Sequence, residues 1–291
     1  MARTEKVGEL RLMGNKQKKL IIKIIMTIIM GALALTMILP FLWMLSASFK
    51  VEADVLKYPV DWIPKTWNAV QNYTEVWSGR YSFLTFYMNS IKITIFTTLL
   101  QAIVSAMGAY AFSKMNFKFR DGLFLLYLSM MMIPDQVTIV PKFLIFRSIK
   151  LYNTHLGLIF LGSFSIYGMF LLKQSMTSIP DALSESAKID GAGHLRIFTQ
   201  IILPISKPSL ATLMVLKFIW TWNDYQNPLV FLSDEKLFTI PLGMTKFMTE
   251  YTQFYSLIMV ASVCAILPLV LIFIFGQKYV LEGMTAGAVK G

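Results

Sequence analysis

The sequence predicts an all-α, polytopic membrane protein with six transmembrane helices, and three observations carry that prediction. The 291-residue chain is 56% hydrophobic and only 15% charged, against roughly 25% charged in soluble domains. Its apolar residues gather into six runs of about the length that crosses a bilayer, ~20 residues. Its basic residues fall unevenly on the two sides of those runs. Mean hydropathy is +0.60. Lipid offers backbone amides no partner, so the runs are expected as helices rather than open strands.

The runs cover 20–45, 87–112, 123–146, 155–172, 208–232 and 254–276. The first is 26 residues long, well beyond a signal-peptide core of roughly 7–15 residues. It is therefore expected to stay as an uncleaved span, although Ser46-Ala47-Ser48 follows it. Pro134, Asp135 and Pro141 interrupt the third run. A kinked or broken helix is expected there, because proline removes a backbone donor and clashes with the preceding turn. The organisation that follows is an N-terminal segment 1–19, a six-helix domain 20–276 and a tail 277–291. No internal repeat or low-complexity tract is visible.

Six crossings put both ends on one side of the membrane. That side carries fifteen lysines and arginines, including Lys18, Lys114, Arg120, Lys188 and Lys207, and the other side eight. The positive-inside rule then makes both termini cytoplasmic. The expected location is the cell (inner or plasma) membrane. The net charge of +11 is scattered between apolar runs, so no nucleic-acid partner is expected. Cys264 stands alone and cannot form an internal disulfide. His155 and His194 are too far apart in this topology for a metal pair. No Gly-x-x-x-x-Gly-Lys-Ser/Thr or Gly-x-Ser-x-Gly motif occurs, so neither nucleotide binding nor catalysis is expected of this chain, and no metal or cofactor of its own.

The polar segment 177–207 joins the fourth and fifth runs on the cytoplasmic side. Ser178-Ile179-Pro180-Asp181 reads as a helix start, with a capping hydroxyl, an early proline and an early acid. A helix over 182–189 is expected to end at Asp190-Gly191, where glycine accepts the positive φ of a tight reversal. Ala192 and Gly193 keep the turn slim. A second helix carries Leu195, Phe198, Ile201 and Ile202, and Pro204 and Pro208 bend the chain into the fifth span. The residues alone leave two readings open: a solvated connector, or a stiff knob that a soluble partner grips.

Asp135, Gln136, Lys142, Lys217, Asn223 and Asp224 lie within or near spans, with Thr97 and Tyr110 as weaker candidates. Charge in lipid is costly, so such groups face a cavity, a partner or the headgroup zone. On the outer side, segment 46–86 holds Trp62, Trp67, Tyr73 and Trp77, and Val70, Tyr73 and Trp77 are expected on one helix face. That face is an interfacial belt or a partner contact. Segment 233–253 is long for a simple connector.

Glu185-Ser186-Ala187, then Gly191, then Ile201-Ile202-Leu203-Pro204 resembles the EAA loop of ABC-importer permeases. Ser186 departs from the family's alanine. Asn89-Ser90, Trp222-Asn223-Asp224 with Pro228-Leu229, and the Gly/Ala-rich end from Gly283 to Gly291 are similar to carbohydrate importer permeases of the maltose-transporter type, in particular the smaller of the two paired subunits. The resemblance implies a permease forming half of a sugar pore. It also implies a second permease, an ATPase dimer that binds ATP and magnesium, and an extracytoplasmic solute-binding protein. It places ATPase coupling on Glu185, Ser186, Ala187, Asp190, Gly191, Ala192, Gly193 and Pro204. It turns Gly283, Thr285, Gly287 and Lys290 toward the ATPase. Asp135, Gln136, Asn223 and Asp224 are the candidates for the translocation path. Three rivals remain at this point: an ion-driven secondary transporter, a non-transporting membrane scaffold or assembly factor, and an ABC permease for a solute other than sugar.

Overall fold

The computed structural model describes residues 2–78, 83–251 and 254–285. Among these residues the regular structure is helical, apart from one isolated bridge between Lys50 and Trp67. In chain order the helices are α1 Ala2–Ser48, α2 Glu52–Val55, α3 Ala69–Ser78, α4 Phe83–Lys114, α5 Arg120–Ser129, α6 Asp135–Ser148, α7 His155–Gly162, α8 Ile166–Thr177, α9 Ala182–Ile189, α10 His194–Ile197, α11 Leu203–Ile205, α12 Lys207–Trp222, α13 Gln226–Phe231, α14 Ile240–Glu250 and α15 Tyr255–Thr285.

Three stretches, Lys18–Ser48, Phe83–Lys114 and Tyr255–Tyr279, are long and apolar enough to cross a bilayer alone. Three bent pairs reach that length only together, which gives three to six crossings by length and composition. The first pair, α5 with its 3-10 extension and α6, meets at 103°. Its break falls at Ile133, whose φ of −85° and ψ of 117° are extended, as expected before a proline. Pro141, expected as a second interruption, lies inside α6 without ending it.

Two expected spans differ from the structure. The fourth, 155–172, is two helices, α7 and α8, bent by 43°. Each has its own cap: the Thr154 hydroxyl accepts from the Gly157 amide and the Ser165 hydroxyl from the Gly168 amide, both at 3.0 Å. A serine that satisfies an orphan amide starts a new helix where apolar content alone suggests continuity. The fifth span, expected over 208–232, ends as a helix at Trp222. Asp224 accepts from the backbone amide of Asn227 at 3.1 Å and so opens α13.

The chain forms two compact units, 1–73 with 254–263, and 74–253 with 264–291. Within the first, Asn72 donates to the carbonyls of Ser48 (3.0 Å) and Lys50 (2.8 Å). Lys50 is 1% exposed and donates to the Asp61 carbonyl. The Glu52 carboxylate accepts from the amides of Tyr255 and Ser256, both at 2.9 Å, and so caps the start of α15. In α3 the expected face shifts. Val70 is 81% exposed, while Asn72 and Val76, one turn apart, are buried.

The second unit is organised on α4. Phe86 and Ile93 near its start pack with Leu158, Trp222, Phe231 and Ile240. Ala106, Ala109 and Tyr110 near its end pack with Leu172, Met176, Ile197 and Ile202. Between the two clusters the buried stripe of α4 is mostly polar, with Thr94, Thr97, Thr98, Gln101 and Ser105 beside a single apolar residue, Ala102. The facing glycines allow the close approach. A Cβ at Gly168 would lie 2.8 Å from Gln101 Nε2 and 3.0 Å from Ser105 Oγ. Small residues at such contacts are how helices pack where lipid supplies no hydrophobic drive.

Candidate functional site

The segment between α8 and α12 is built as a stiff reversal fastened to the bundle. α9 occupies Ala182–Ile189, as the sequence predicts, but its start is made differently. The Ser178 hydroxyl does not cap it and donates back to the Ser175 carbonyl at 2.8 Å. Asp181 stands at the cap position without a capping bond. Its carboxylate instead accepts from Lys114 Nζ at 2.6 Å. Lys114, the last residue of α4, has a side chain only 3% exposed and also donates to the Ile179 carbonyl at 2.5 Å. The ammonium bond holds the Asp181 carboxyl below the usual carboxylate range. A lysine at a helix C-terminus is also favoured by the helix dipole.

α9 closes with a Schellman motif. The Ala192 amide donates to the Ala187 carbonyl (2.9 Å) and the Gly191 amide to the Lys188 carbonyl (3.0 Å). This pairing needs a left-handed residue between them, and Gly191 has φ +80°. Ala187 and Ala192 both pack on the apolar cluster at the end of α4. Ser186 turns its hydroxyl onto the Ala182 carbonyl at 2.8 Å, so its departure from alanine leaves no polar atom unbonded.

The return stroke is anchored. Ile197 and Ile202 are fully buried. Phe198 lies 5.2 Å from the Tyr110 ring, and the Tyr110 hydroxyl is 3.2 Å from His194 Nδ1. The second helix expected around Leu195 is a short α-turn, α10, followed by a π-turn, Phe198–Ile202. The wider turn comes just before Pro204, which has no amide to give. Such bulges are a usual way for a helix to absorb an interrupted ladder. The chain then bends by 77° into α12, with Pro208 at its start.

What this frame leaves outward is apolar as well as charged. Ile189 is 87% exposed, Leu195 75% and Leu183 42%. Among the described residues Glu185 and Asp190 make no ion pair. All three apolar side chains belong to one short loop, and an exposed apolar patch rimmed by polar residues is how a contact surface is marked. Sequence reasoning missed Lys114 and Ile189. A lysine closing an apolar run and an isoleucine beside the glycine turn were the available signals.

The other candidates scatter. Asp135 Oδ1 is 2.9 Å from Lys142 Nζ, and Gln136 is exposed at the start of α6. Asn223 donates to the Ile219 carbonyl at 2.8 Å, one turn back at the end of α12. Asp224 caps α13. Among the described residues no hydrogen bond or ion pair links the Asp135–Gln136 pair to the Asn223–Asp224 pair. Gly283 and Thr285 lie in α15. Gly287 and Lys290 fall outside the described residues.

This helical chain is an inner-membrane transport component. It belongs to the family described as "Binding-protein-dependent transport system inner membrane component", whose profile matches residues 101–285. Over 92% of this chain and 96% of the relative it is 31% identical to the arabinooligosaccharides transport system permease protein AraQ of Bacillus subtilis. With the melibiose/raffinose/stachyose import permease protein MelC of the same organism it shares 33% identity, again over 92% of this chain and 96% of that one. Among solved structures, a chain of a bacterial ABC transporter involved in importing the acidic polysaccharide alginate superposes with a TM-score of 0.81 at 25% identity. That alignment covers 89% of this chain and 96% of the other.

Proposed function

We propose that this chain forms half of the translocation pore of an ATP-driven sugar or oligosaccharide importer, with segment 177–207 as the docking point of an ATPase subunit. The observation that carries the reading is a rigid loop, locked to α4 through Lys114 and to the apolar core through Ile197 and Ile202, that still exposes Ile189 and Leu195. Glu185 and Asp190 supply fixed charge beside them.

The mechanism follows from stiffness. When a docked ATPase dimer closes, it moves the loop as one body. Lys114 passes the displacement to the end of α4, and the buried isoleucines pass it to α8 and α12. The bundle then shifts between inward-open and outward-open shapes. A partner can bias that balance only through contacts that differ between the two shapes, and this loop is where we locate them. ATP and magnesium belong to the ATPase. The pore is completed by a second permease, both termini are cytoplasmic, and an extracytoplasmic binding protein delivers sugar to the outer segments 46–86 and 233–253. The sugar assignment rests on the curated relatives named above.

The test is purification of the chain from native membranes followed by reconstitution. We expect an ATPase and a second permease to co-purify, and uptake to stop with vanadate but persist with a proton uncoupler. Uptake that stops with the uncoupler and ignores vanadate would contradict the reading.

A further inference from the structure

The break between α12 and α13 encloses polar groups that the coupling role does not use. Lys217, Asp224, Asn227 and the three threonines Thr97, Thr221 and Thr239 line one cavity of about 50 Å³. That is room for on the order of three to five waters. Thr97 is 1% exposed and Thr239 5%. Among the described residues the hydroxyls of Thr97, Thr221 and Thr239 have no hydrogen-bond partner. Lys217 Nζ makes no hydrogen bond or ion pair among the described residues, although Asp224 attracts it electrostatically. Among the described residues the Asp224 carboxylate accepts hydrogen bonds from Asn227 only, at 3.1 Å from its backbone amide and 2.8 Å from its side-chain amide. Gly162 makes the space: a Cβ there would lie 2.5 Å from Thr97 Cγ2 and 3.4 Å from Lys217 Nζ.

Buried polar groups are normally bonded, so three open hydroxyls and an open ammonium around one void define a site. The charge pattern selects the occupant. An anion would meet Lys217 but also Asp224, and a cation would meet the reverse. A hydroxyl accepts from the ammonium and donates to the carboxylate at once. The threonine hydroxyls extend the same dual character around the wall. We infer that this pocket is a subsite for the hydroxyl groups of a neutral polyol or sugar, with hydroxyls of the ligand bridging Lys217 and Asp224. The pocket takes the hydroxyl-bearing edge of a sugar rather than a whole ring. Thr239 reaches it from the outer segment and Thr97 from the polar layer of α4, so the subsite lies where the two meet. The inference rests on the reading of this chain as half of a sugar pore, and it places this subunit itself in contact with the sugar.

Two measurements on the complete importer test it. The first is cryo-electron microscopy of the complex with and without glycerol as the hydroxyl probe. Density joining Lys217 to Asp224 that appears with glycerol is expected; water alone under both conditions overturns the inference. The second is uptake of melibiose, raffinose and arabinotriose by proteoliposomes carrying the chain or its Lys217→Met, Thr97→Val or Thr221→Val variant. The KM for a transported sugar should rise about tenfold or more in Lys217→Met, the worth of one hydrogen bond to a charged group, and by roughly two- to tenfold in each threonine variant, the worth of a neutral one. An unchanged KM in the two threonine variants, which keep shape and so assembly, overturns the inference even if Lys217→Met fails to assemble. Glycerol density with no uptake of any sugar would leave the pocket standing as a polyol site and sink the sugar-pore reading instead.

Discussion

Lys114 Nζ lies 2.6 Å from Asp181 Oδ1 while the lysine side chain is 3% exposed. A nearly buried ammonium thus ties the end of the longest helix of the second unit to the start of segment 177–207. Removing it by Lys114→Met deprives the Ile179 carbonyl of its donor, at a cost of about 1.5–3 kcal/mol for a bond to a charged group. We expect the variant to insert and to retain ATPase in a pull-down, but to transport less sugar per ATP hydrolysed. Lys114→Arg should recover part of the loss.

The same contact fixes a pH dependence. The lysine lowers the Asp181 carboxyl below its ordinary value, so its stabilisation is fully present above the unfolded carboxylate value of about 3.9 and is lost as pH falls through the lower folded value. Across the range from about pH 5 to 8 the contact is therefore constant. Asp181→Asn should reduce uptake by the same factor throughout that range. A deficit that grows or vanishes between those limits would show that Asp181 titrates differently.

Gly191 is expected to be sensitive through its backbone and not through space. Its chain neighbours aside, no atom of the described residues lies within 4 Å of where its Cβ would be, yet its φ is +80°. Gly191→Ala should cost about 1–2 kcal/mol from the left-handed conformation, and Gly191→Asn less. Gly191→Pro also removes the amide that bonds the Lys188 carbonyl and cannot adopt the angle. Membrane insertion, read by expression level, should survive in all three, while uptake should be abolished in the proline variant.

Gly243 supplies a packing test. A Cβ there would meet the ring of Phe86, which belongs to the cluster with Trp222 and Phe231. Gly243→Ala should destabilise by about 1–3 kcal/mol through overpacking. Thermal unfolding of the purified complex reads the effect, and Phe86→Leu in the same chain should relieve part of it.

Much of this was readable in advance because the signals were local. The 182–189 helix and the turn at Gly191 follow from one amphipathic window and one obligatory positive φ. The break at Pro134 follows from the proline itself. The misreadings arose where a side chain chose between bonds that sequence does not rank. Ser178 and Asp181 look like caps, but a lysine 67 positions earlier takes the aspartate. Ser163, Phe164 and Ser165 read as part of an apolar run until Ser165 is seen to cap α8. Asp224 also bonds the Asn227 amide at the start of α13, which ends the fifth helix earlier than its apolar run suggests. The open hydroxyls around Lys217 depend on how α4, α7 and α12 meet, which no window of sequence contains.

The proposed docking surface predicts a separable defect. Ile189→Asp and Leu195→Asp alter side chains that are 87% and 75% exposed, so permease stability should change by no more than about 0.5 kcal/mol. ATPase co-purification should fall sharply all the same. A stable variant that keeps its ATPase would remove these residues from the interface.

The most direct measurement is photo-crosslinking from position 189 in intact native membranes, with a photoreactive amino acid in place of Ile189 and mass-spectrometric identification of the product. The account predicts a covalent adduct to a nucleotide-hydrolysing subunit, formed on the cytoplasmic face. An adduct only to lipid or to an extracytoplasmic protein, in membranes where transport is active, would contradict it.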